Sequence, residues 1–583
     1  MAIQEIIALL SGVALFLFGM TLMGDGLKAV AGNKMELILY RLSGTPLRGL
    51  LLGTVVTAAI QSSCATSVMA VGFVNAGMMP RRRSVSVIIG AILGTSVTGW
   101  VICLGYLEGA GTLKSLLSTA TLTGAVAVAG IILRMFTKSR PKRRVGDILL
   151  GFAVLMTGMA AMSGAVSSLG ESPAFSSIMS SLSNPLLGIL VGLVFTALLQ
   201  SASAAVGIVQ ALSFTGVMAA GQALPLLLGV AVGAAAPVLL SAIGAGTEGK
   251  RAALVYPITA ALGTVTVGGV FYAINAFVGF SFLDKTVNPF TVAALNSFLR
   301  LAMVILLMPL SGVIDRLTVL LVREKRAAAS EPELRLEERF LAYPALALEQ
   351  CRMAIDAMAK LSRKSVNRAL KLLRGYSEEG FSEIKEMEET VDTYEDRLGS
   401  YLMRLTGKEL TRRQNEDAAK YLCALTDLER ISDHALNLAE SAKEIDEKRM
   451  RFSDAADKEL TVLFSAVTEI IHLASGAFED DDAELAKRVE PLEERIDELC
   501  DTMKRRHVER LQAGECTISQ GFVFNDILTD LERVADHCSN IALEVLEVRS
   551  DTMAAHDYLH DLKEQQADAM REAYDEYAAR YAI

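Results

Sequence analysis

Through the first 325 residues, long apolar runs alternate with short polar breaks; beyond them, apolar positions recur three and four apart between charged ones. Runs at 5–27, 84–106, 117–133, 146–169, 252–280 and 290–322 are nearly free of charge. Each is long enough to cross roughly 30 Å of hydrocarbon as a helix. The first is read as a retained span, because it opens on Glu5 and not on a basic cluster, with no small-residue cleavage site after Met20. The stretch 49–80 differs, with only about 30 residues between basic flanks and polar QSSCATS in its middle. Two full spans would need roughly 40 apolar residues, so a re-entrant helical hairpin with a polar tip near mid-depth is predicted, and 188–219 repeats it. From about residue 340 the periodicity, as in AKYLCALTDLERISDHALNLAE at 419–440, predicts charged-faced helices of a soluble bundle.

The apolar part is internally duplicated. A shift of 139 residues brings Gly19 onto Gly158, Pro46 onto Pro185, Gly53 onto Gly192, Thr57 onto Thr196 and Gln61 onto Gln200. The register continues without a gap through Ser62/Ser201, Gly77/Gly216, Gly90/Gly229 and Gly94/Gly233. Repeat one carries Lys28, Lys34, Arg41, Arg48 and Arg81 to Arg83, where repeat two has Ser167, Pro173, Ser180, Leu187 and Ala220 to Gln222. Basic loops stay on the cytoplasmic side, so the two repeats are expected to be inverted, an arrangement common in secondary transporters. With the loop Arg134 to Arg144, the pair Lys250/Arg251 and Arg323 to Arg326 also inside, about seven spans plus two hairpins result. The N-terminus then lies outside and the soluble part in the cytoplasm.

Charge follows the same division. Residues 1–325 hold 21 Lys/Arg and 10 Asp/Glu, and residues 326–583 hold 35 and 56, a contrast of +11 with −21. An acidic soluble part argues against nucleic acid as a partner. The seven cysteines, at 64, 103, 351, 423, 500, 516 and 538, show neither paired metal spacing nor a disulfide framework, and a reducing cytosol suits the five in the soluble part. The expected organisation is repeat 1 (1–133), a basic cytoplasmic loop (134–145), repeat 2 with the final spans (146–325), a linker (326–339), a helical domain (340–550) and a C-terminal helical tail (551–583).

Irregular backbone at membrane depth is tolerated only where protein buries it or it lines a wet cavity, so the two tips are expected to face each other. Helix ends at such breaks free N–H groups that suit an oxyanion, while carbonyl and hydroxyl oxygens suit sodium. The groups on offer are Gln61, Ser62, Ser63, Thr66 and Ser67 on one side and Gln200, Ser201 and Ser203 on the other. The strings TAAIQSSCATS (57–67) and TALLQSASAAV (196–206) resemble the duplicated QSS hairpins of the type II sodium/phosphate cotransporter family. That resemblance covers roughly residues 1–320. It implies phosphate as substrate, sodium as coupling ion, and a contribution from segments following each hairpin, here GAILGTS (90–96) and GVAVGAA (229–235). Thr95 and Ser96 thereby join the candidates. Ile92 and Ala231 stand where the family has asparagine, and Ala234 and Ala235 where it has threonines.

The soluble part is duplicated as well. DLERISDHALNLA (427–439) matches DLERVADHCSNIA (530–542) at a shift of 103, and EETVD (388–392) matches EERID (493–497) at 105. Glu429, Asp433 and Asn437, or Glu532, Asp536 and Asn540, recur every four residues along one helical face, with Glu388/Asp392 and Glu493/Asp497 upstream. Carboxylates brought that close need a cation or protons. Oxygen-only ligation leaves magnesium, calcium, manganese or iron open. His434 and His537 point about 100° around the helix and are read as capping or core contacts. The arrangement resembles a PhoU domain, a tandem three-helix bundle with acidic metal motifs associated with phosphate signalling. Fusion to a QSS-hairpin transporter is a recurring bacterial arrangement, which implies a multi-pass protein of the bacterial inner membrane.

The expectation is therefore an all-α membrane protein that transports inorganic phosphate by alternating access, with sodium coupling and a cytoplasmic regulatory domain. A membrane-anchored phosphate sensor or a carrier of another anion is the competing reading. A metallophosphatase is disfavoured, since no activated nucleophile or Gly-rich phosphate loop accompanies the carboxylates. The lipid bilayer and phosphate are the expected partners, and a homo-oligomer is compatible with this architecture.

Overall fold

The computed structural model describes residues 2–31, 38–39, 44–106, 119–169, 177, 179–323, 336–408, 410–550 and 567–583. Lys34, Arg41 and Pro173, most of the expected linker and the first half of the expected tail lie outside the described residues. The chain forms two compact units, Met1–Glu331 and Pro332–Ile583. Among the described residues, regular structure is helical apart from an isolated bridge between Ala219 and Thr286.

The first unit contains α1 (Ala2–Ala31), α2 (Pro46–Ile60), α3 (Ser63–Asn75), α4 (Arg81–Gly94), α5 (Ser96–Cys103), α6 (Thr119–Phe136), α7 (Arg140–Leu169), α8 (Pro185–Leu199) and α9 (Ala202–Phe214). It continues with α10 (Ala220–Gly233), α11 (Ala236–Ser241), α12 (Thr247–Gly263), α13 (Gly269–Val278), α14 (Pro289–Leu307) and α15 (Ser311–Leu321). Among the described residues of this unit, six stretches are long and apolar enough to cross a membrane, from Gln4–Val30 to Pro289–Leu307, and Ala120–Phe136 is a shorter apolar one. The apolar run 290–322 is two helices and not one, broken at Met308–Leu310 around Pro309, which lacks the N–H a continuing helix needs.

The halves of each broken pair, α2 with α3 and α8 with α9, are 15 and 13 residues long. At about 1.5 Å per residue neither half reaches across hydrocarbon. Each first half starts on a polar cap followed by proline: Thr45 accepts from the Arg48 N–H, Asn184 from those of Leu186 and Leu187, ahead of Pro46 and Pro185.

Glycines let each first half-helix press on the helix after the pair. A Cβ on Gly53 would sit 2.1 Å from the Val87 carbonyl oxygen, and one on Gly90 2.1 Å from that of Leu50. A Cβ on Gly192 would lie 2.3 Å from the Leu226 oxygen, and one on Gly229 2.1 Å from that of Ile189. Every member of the second set lies 139 residues after its counterpart, so the sequence repeat is also a repeat of backbone contacts. Elsewhere α1 and α7 meet through Gly12, Gly19, Gly151 and Gly158, with a Gly19 Cβ only 2.3 Å from the Leu155 nitrogen.

The second unit contains α16 (Pro344–Leu372), α17 (Glu378–Thr406), α18 (Arg412–Glu447), α19 (Asp454–Asp480), α20 (Val489–Gln512), α21 (Ile518–Ser550) and α22 (Ala567–Arg580). α16 to α18 pack as one bundle and α19 to α21 as a second. Start signals are local: Ser377 caps α17, Ser453 caps α19, and Thr411 with Gln414 forms a capping box on α18. α19 is long and apolar enough to pass for a membrane span. Here Leu460, Leu463, Val467, Ile470, Ile471 and Ala474 form a buried stripe at helical spacing, which makes it a bundle core. The tail folds back, with Arg580 paired to Glu469 at 3.0 Å and the Tyr581 carbonyl accepting from Arg495.

Candidate functional site

At both breaks a glutamine takes the left-handed conformation, Gln61 with φ 58° and Gln200 with φ 53°. For a residue bearing a Cβ this costs about 1–2 kcal/mol. It reverses the chain, and the next residue becomes the N-cap of the second half-helix. Ser62 Oγ accepts from the Ala65 N–H at 3.2 Å, and Ser201 Oγ from that of Ala204 at 3.3 Å. The unbonded N–H groups of these helix starts carry partial positive charge.

The tips meet. Gln61, Ser62, Ser63 and Cys64 from one, and Gln200, Ser201, Ala202 and Ser203 from the other, line a single cavity of about 400 Å³. Gln61 Oε1 is buried there without a hydrogen-bond partner, and Ser201 and Ser203 hydroxyls are 3.3 Å apart. Ala234, from the segment after the second hairpin, adds an apolar wall at a position where the family has threonine. Thr66, Thr95 and Ser96 do not line this cavity. Thr66 is buried behind the tip, 3.0 Å from the Thr57 hydroxyl, while Thr95 and Ser96 return their hydroxyls to the carbonyls of Ala91 and Leu93.

Sequence reasoning missed the charged part of the lining. Thr21, Gly24, Asp25 and Lys28 of α1 face the cavity, with Lys28 Nζ 3.5 Å from Asp25. Their signal is present as i, i+4, i+7 spacing on one helical face, but in the sequence Lys28 reads as a topology marker. Also missed was a buried group behind the first tip: Tyr256 lies 3.5 Å from Ser63, and Arg300 is fully enclosed.

In the second unit the acidic residues gather in two clusters. Carboxylate oxygens of Glu388, Asp392 and Asp433 lie within 4.8 Å of one another, and so do those of Glu493, Asp497 and Asp536. Glu429 neighbours the first. Burial, then Asp433, pushes its carboxyl up to about 7. Burial and then Asp392 and Asp433 raise Glu388, and burial followed by Glu532 and Asp536 pushes Asp497 up to about 6. Glu532 instead binds Lys504 at 2.6 Å. Burial pulls the Lys504 ammonium down, and Glu532 more than offsets it. The position 105 residues before Lys504 is Gly399, so no lysine stands at the equivalent position of the first repeat. Oxygen-only donors this close fit a hard cation.

Asn437 and Asn540 do not join the clusters. Steps of four drift about 40° each, so the third member of each series has left the acidic face. Asn437 donates to Asp530 at 3.3 Å and Asn540 to Asp427 at 3.1 Å. Nδ1 of His434 lies 2.9 Å from Asp530 and that of His537 2.8 Å from Asp427, with the imidazoles stacked at 5.8 Å. The histidines thus tie one repeat to the other.

Broken half-helices around a polar cavity in an apolar helical unit, with duplicated acidic bundles on the same chain, define a membrane protein of the transporter class. Comparison with known families gives the assignment. The Na+/Pi-cotransporter family model matches residues 15–164 and 155–288, and the PhoU domain model matches residues 355–442 and 460–545. Residues 15–288 are thus similar to the Na+/Pi-cotransporter family, and the second unit carries two matches to the PhoU domain. Its relatives include the "Putative inorganic phosphate export protein YjbB" of Escherichia coli K12, 22% identical over 560 residues, 94% of this chain and 99% of that protein. "Phosphate-specific transport system accessory protein PhoU homolog 1" of Thermotoga maritima is 34% identical over 124 residues, 21% of this chain and 53% of that protein. The crystal structure of PhoU from Pseudomonas aeruginosa is 26% identical, with 35% of this chain and 98% of that chain covered at a TM-score of 0.34.

Proposed function

We propose that the protein is a sodium-coupled secondary transporter of inorganic phosphate, regulated by its PhoU domains. The observation that carries this reading is the single cavity shared by Gln61–Ser63 and Gln200–Ser203. Two helix N-termini and several hydroxyls converge there, which suits a tetrahedral oxyanion. The unpartnered Gln61 Oε1, the hydroxyl oxygens and Asp25 suit sodium. Gln61, Ser62, Ser63, Gln200, Ser201 and Ser203 hold the substrates, and Thr66, Thr95 and Ser96 support the first tip from behind. The repeats are inverted and rock against each other, opening the cavity to either face of the bacterial inner membrane in turn. The N-terminus lies outside and the PhoU domains in the cytoplasm. There Glu388, Asp392, Glu429 and Asp433 form one metal site, and Glu493, Asp497, Glu532 and Asp536 the other; a bound divalent or iron cation would cancel the carboxylate repulsion and bind neighbouring helices together.

Labelled phosphate flux in proteoliposomes, with and without a sodium gradient, tests the reading. Wild-type protein should exchange phosphate and respond to the gradient. Gln61→Ala and Gln200→Ala should each lower exchange by at least about a hundredfold, the scale of losing two ligand hydrogen bonds to a charge, with the protein still monodisperse. Full exchange in both variants would refute the site, and binding without exchange in wild type would favour a phosphate sensor.

A further inference from the structure

The first unit contains buried and partly buried arginines of two kinds. Arg81 reaches Glu248 at 3.0 Å and also pairs with Asp315, and Arg251 pairs with Glu248. Arg300 of α14 is only 1% exposed, yet among the described residues no carboxylate pairs with it. Its Nε donates to Asn296 Oδ1 at 3.1 Å and its Nη1 to the Ile92 carbonyl at 3.0 Å. Arg300 Nη2 and Asn296 Nδ2 are both buried without a partner. A guanidinium stays protonated in proteins, so the charge is present and uncompensated. Leaving a charge unpaired away from water is unfavourable, and an ionisable group at membrane depth points to function.

Its surroundings lead to the cavity. Tyr256, fully buried, interacts with the guanidinium electrostatically, and its hydroxyl lies 3.5 Å from Ser63 Oγ, which lines the cavity. A phenol beside a fixed cation turns its oxygen towards the charge and its hydrogen away, here towards Ser63. Ser63 then accepts at its oxygen and is free to aim its own O–H at an anion. The hydroxyls of Ser67 and Thr259, one helical turn beyond Ser63 and Tyr256, are unpartnered as well.

We propose that Arg300 is the fixed counter-charge for the anion held at the hairpin tips, a positioning residue that acts through Tyr256 and Ser63 and is oriented by Asn296. The ligand class is a small tetrahedral oxyanion. Arg300 sets affinity, and its charge is balanced only while the anion is bound. This rests on reading the cavity as a phosphate site.

Asn296→Asp tests it, because it places a carboxylate where Oδ1 already meets the guanidinium and so neutralises the charge from within. Phosphate exchange by the full chain in proteoliposomes should show KM raised about tenfold or more, from loss of one partly screened charge pair. The maximal rate should stay within about twofold and the unfolding temperature should rise. Tyr256→Phe should raise KM in the same sense, and Arg300→Lys should fall between wild type and Arg300→Met. A purely structural charge gives a more stable Asn296→Asp protein with unchanged KM, which overturns the proposal even where Arg300→Met fails to fold. Should wild type move no phosphate, the functional reading falls, and thermal shifts with phosphate or sulfate decide the counter-charge. A wild-type shift that Asn296→Asp abolishes supports it; no wild-type shift, or equal shifts, overturns it.

Discussion

Gln61 and Gln200 hold a backbone conformation that residues other than glycine avoid, and both do so beside an N-capping serine. That strain survives because the tips must reverse the chain and also present an amide to the cavity, which glycine could not do. The polar string with its serines was legible in the sequence; Arg300 was not. A lone arginine in an apolar run reads as a packing or topology residue until Tyr256, 44 positions away in sequence, is seen beside it, and Ser63, 237 positions away, beside Tyr256. A second residue-scale consequence lies in the soluble unit. Burial first, and then Glu479, pushes the Asp356 carboxyl up to about 6 against the pull of Arg352, and its Oδ1 has no partner. The folded state therefore holds this proton more tightly than the unfolded chain does, so Asp356 contributes stability below pH about 4 that is lost as pH rises through about 6. Asp356→Asn should stabilise the protein by about 1 kcal/mol at pH 8, discounted for partial solvent screening, and change little at pH 4. Chemical denaturation at the two pH values checks this.

At the scale of elements, the glycines at a shift of 139 were visible as a pattern before their reason was. They let α2 rest on α4 and α8 rest on α10 with carbonyl oxygens where a side chain would begin. Gly53→Val and Gly192→Val should each cost about 3 kcal/mol or more, since backbone must move and not merely a rotamer; size-exclusion profiles and unfolding temperatures in detergent will show it, and wild-type behaviour would mean the helices pack otherwise. The break at Pro309 was legible in principle, but uniform hydropathy on both sides hid it. In the acidic helices the sequence pattern identified the carboxylates and missed Lys504, because a lysine at 504 reaches Glu532 only once α20 and α21 are side by side. That lysine already neutralises part of the second cluster. Manganese titration of the chelator-treated full chain should therefore show two affinities differing by about tenfold, roughly 1.4 kcal/mol. Lys504→Gly should bring them together, and a single affinity in the wild type would contradict the asymmetry.

For the whole molecule, the change from +11 to −21 in net charge falls near residue 325, and the structure divides at Glu331. Composition located that division because a lipid-facing unit and a water-facing one draw on different residues. That the two tips face each other was legible from the cost of irregular backbone in lipid; that α1 contributes Asp25 and Lys28 to the cavity was not, since that depends on how the half-helices pack against it. The central claim is that both tips bound one phosphate-holding space opened alternately to the two faces of the membrane. Its most direct test is labelling by a membrane-impermeant thiol reagent of Ser62→Cys or Ser201→Cys, each on a background lacking the seven native cysteines. We expect both positions to react from either face and phosphate to protect both together. Reaction of each position from one face only, or labelling indifferent to phosphate, would contradict the account.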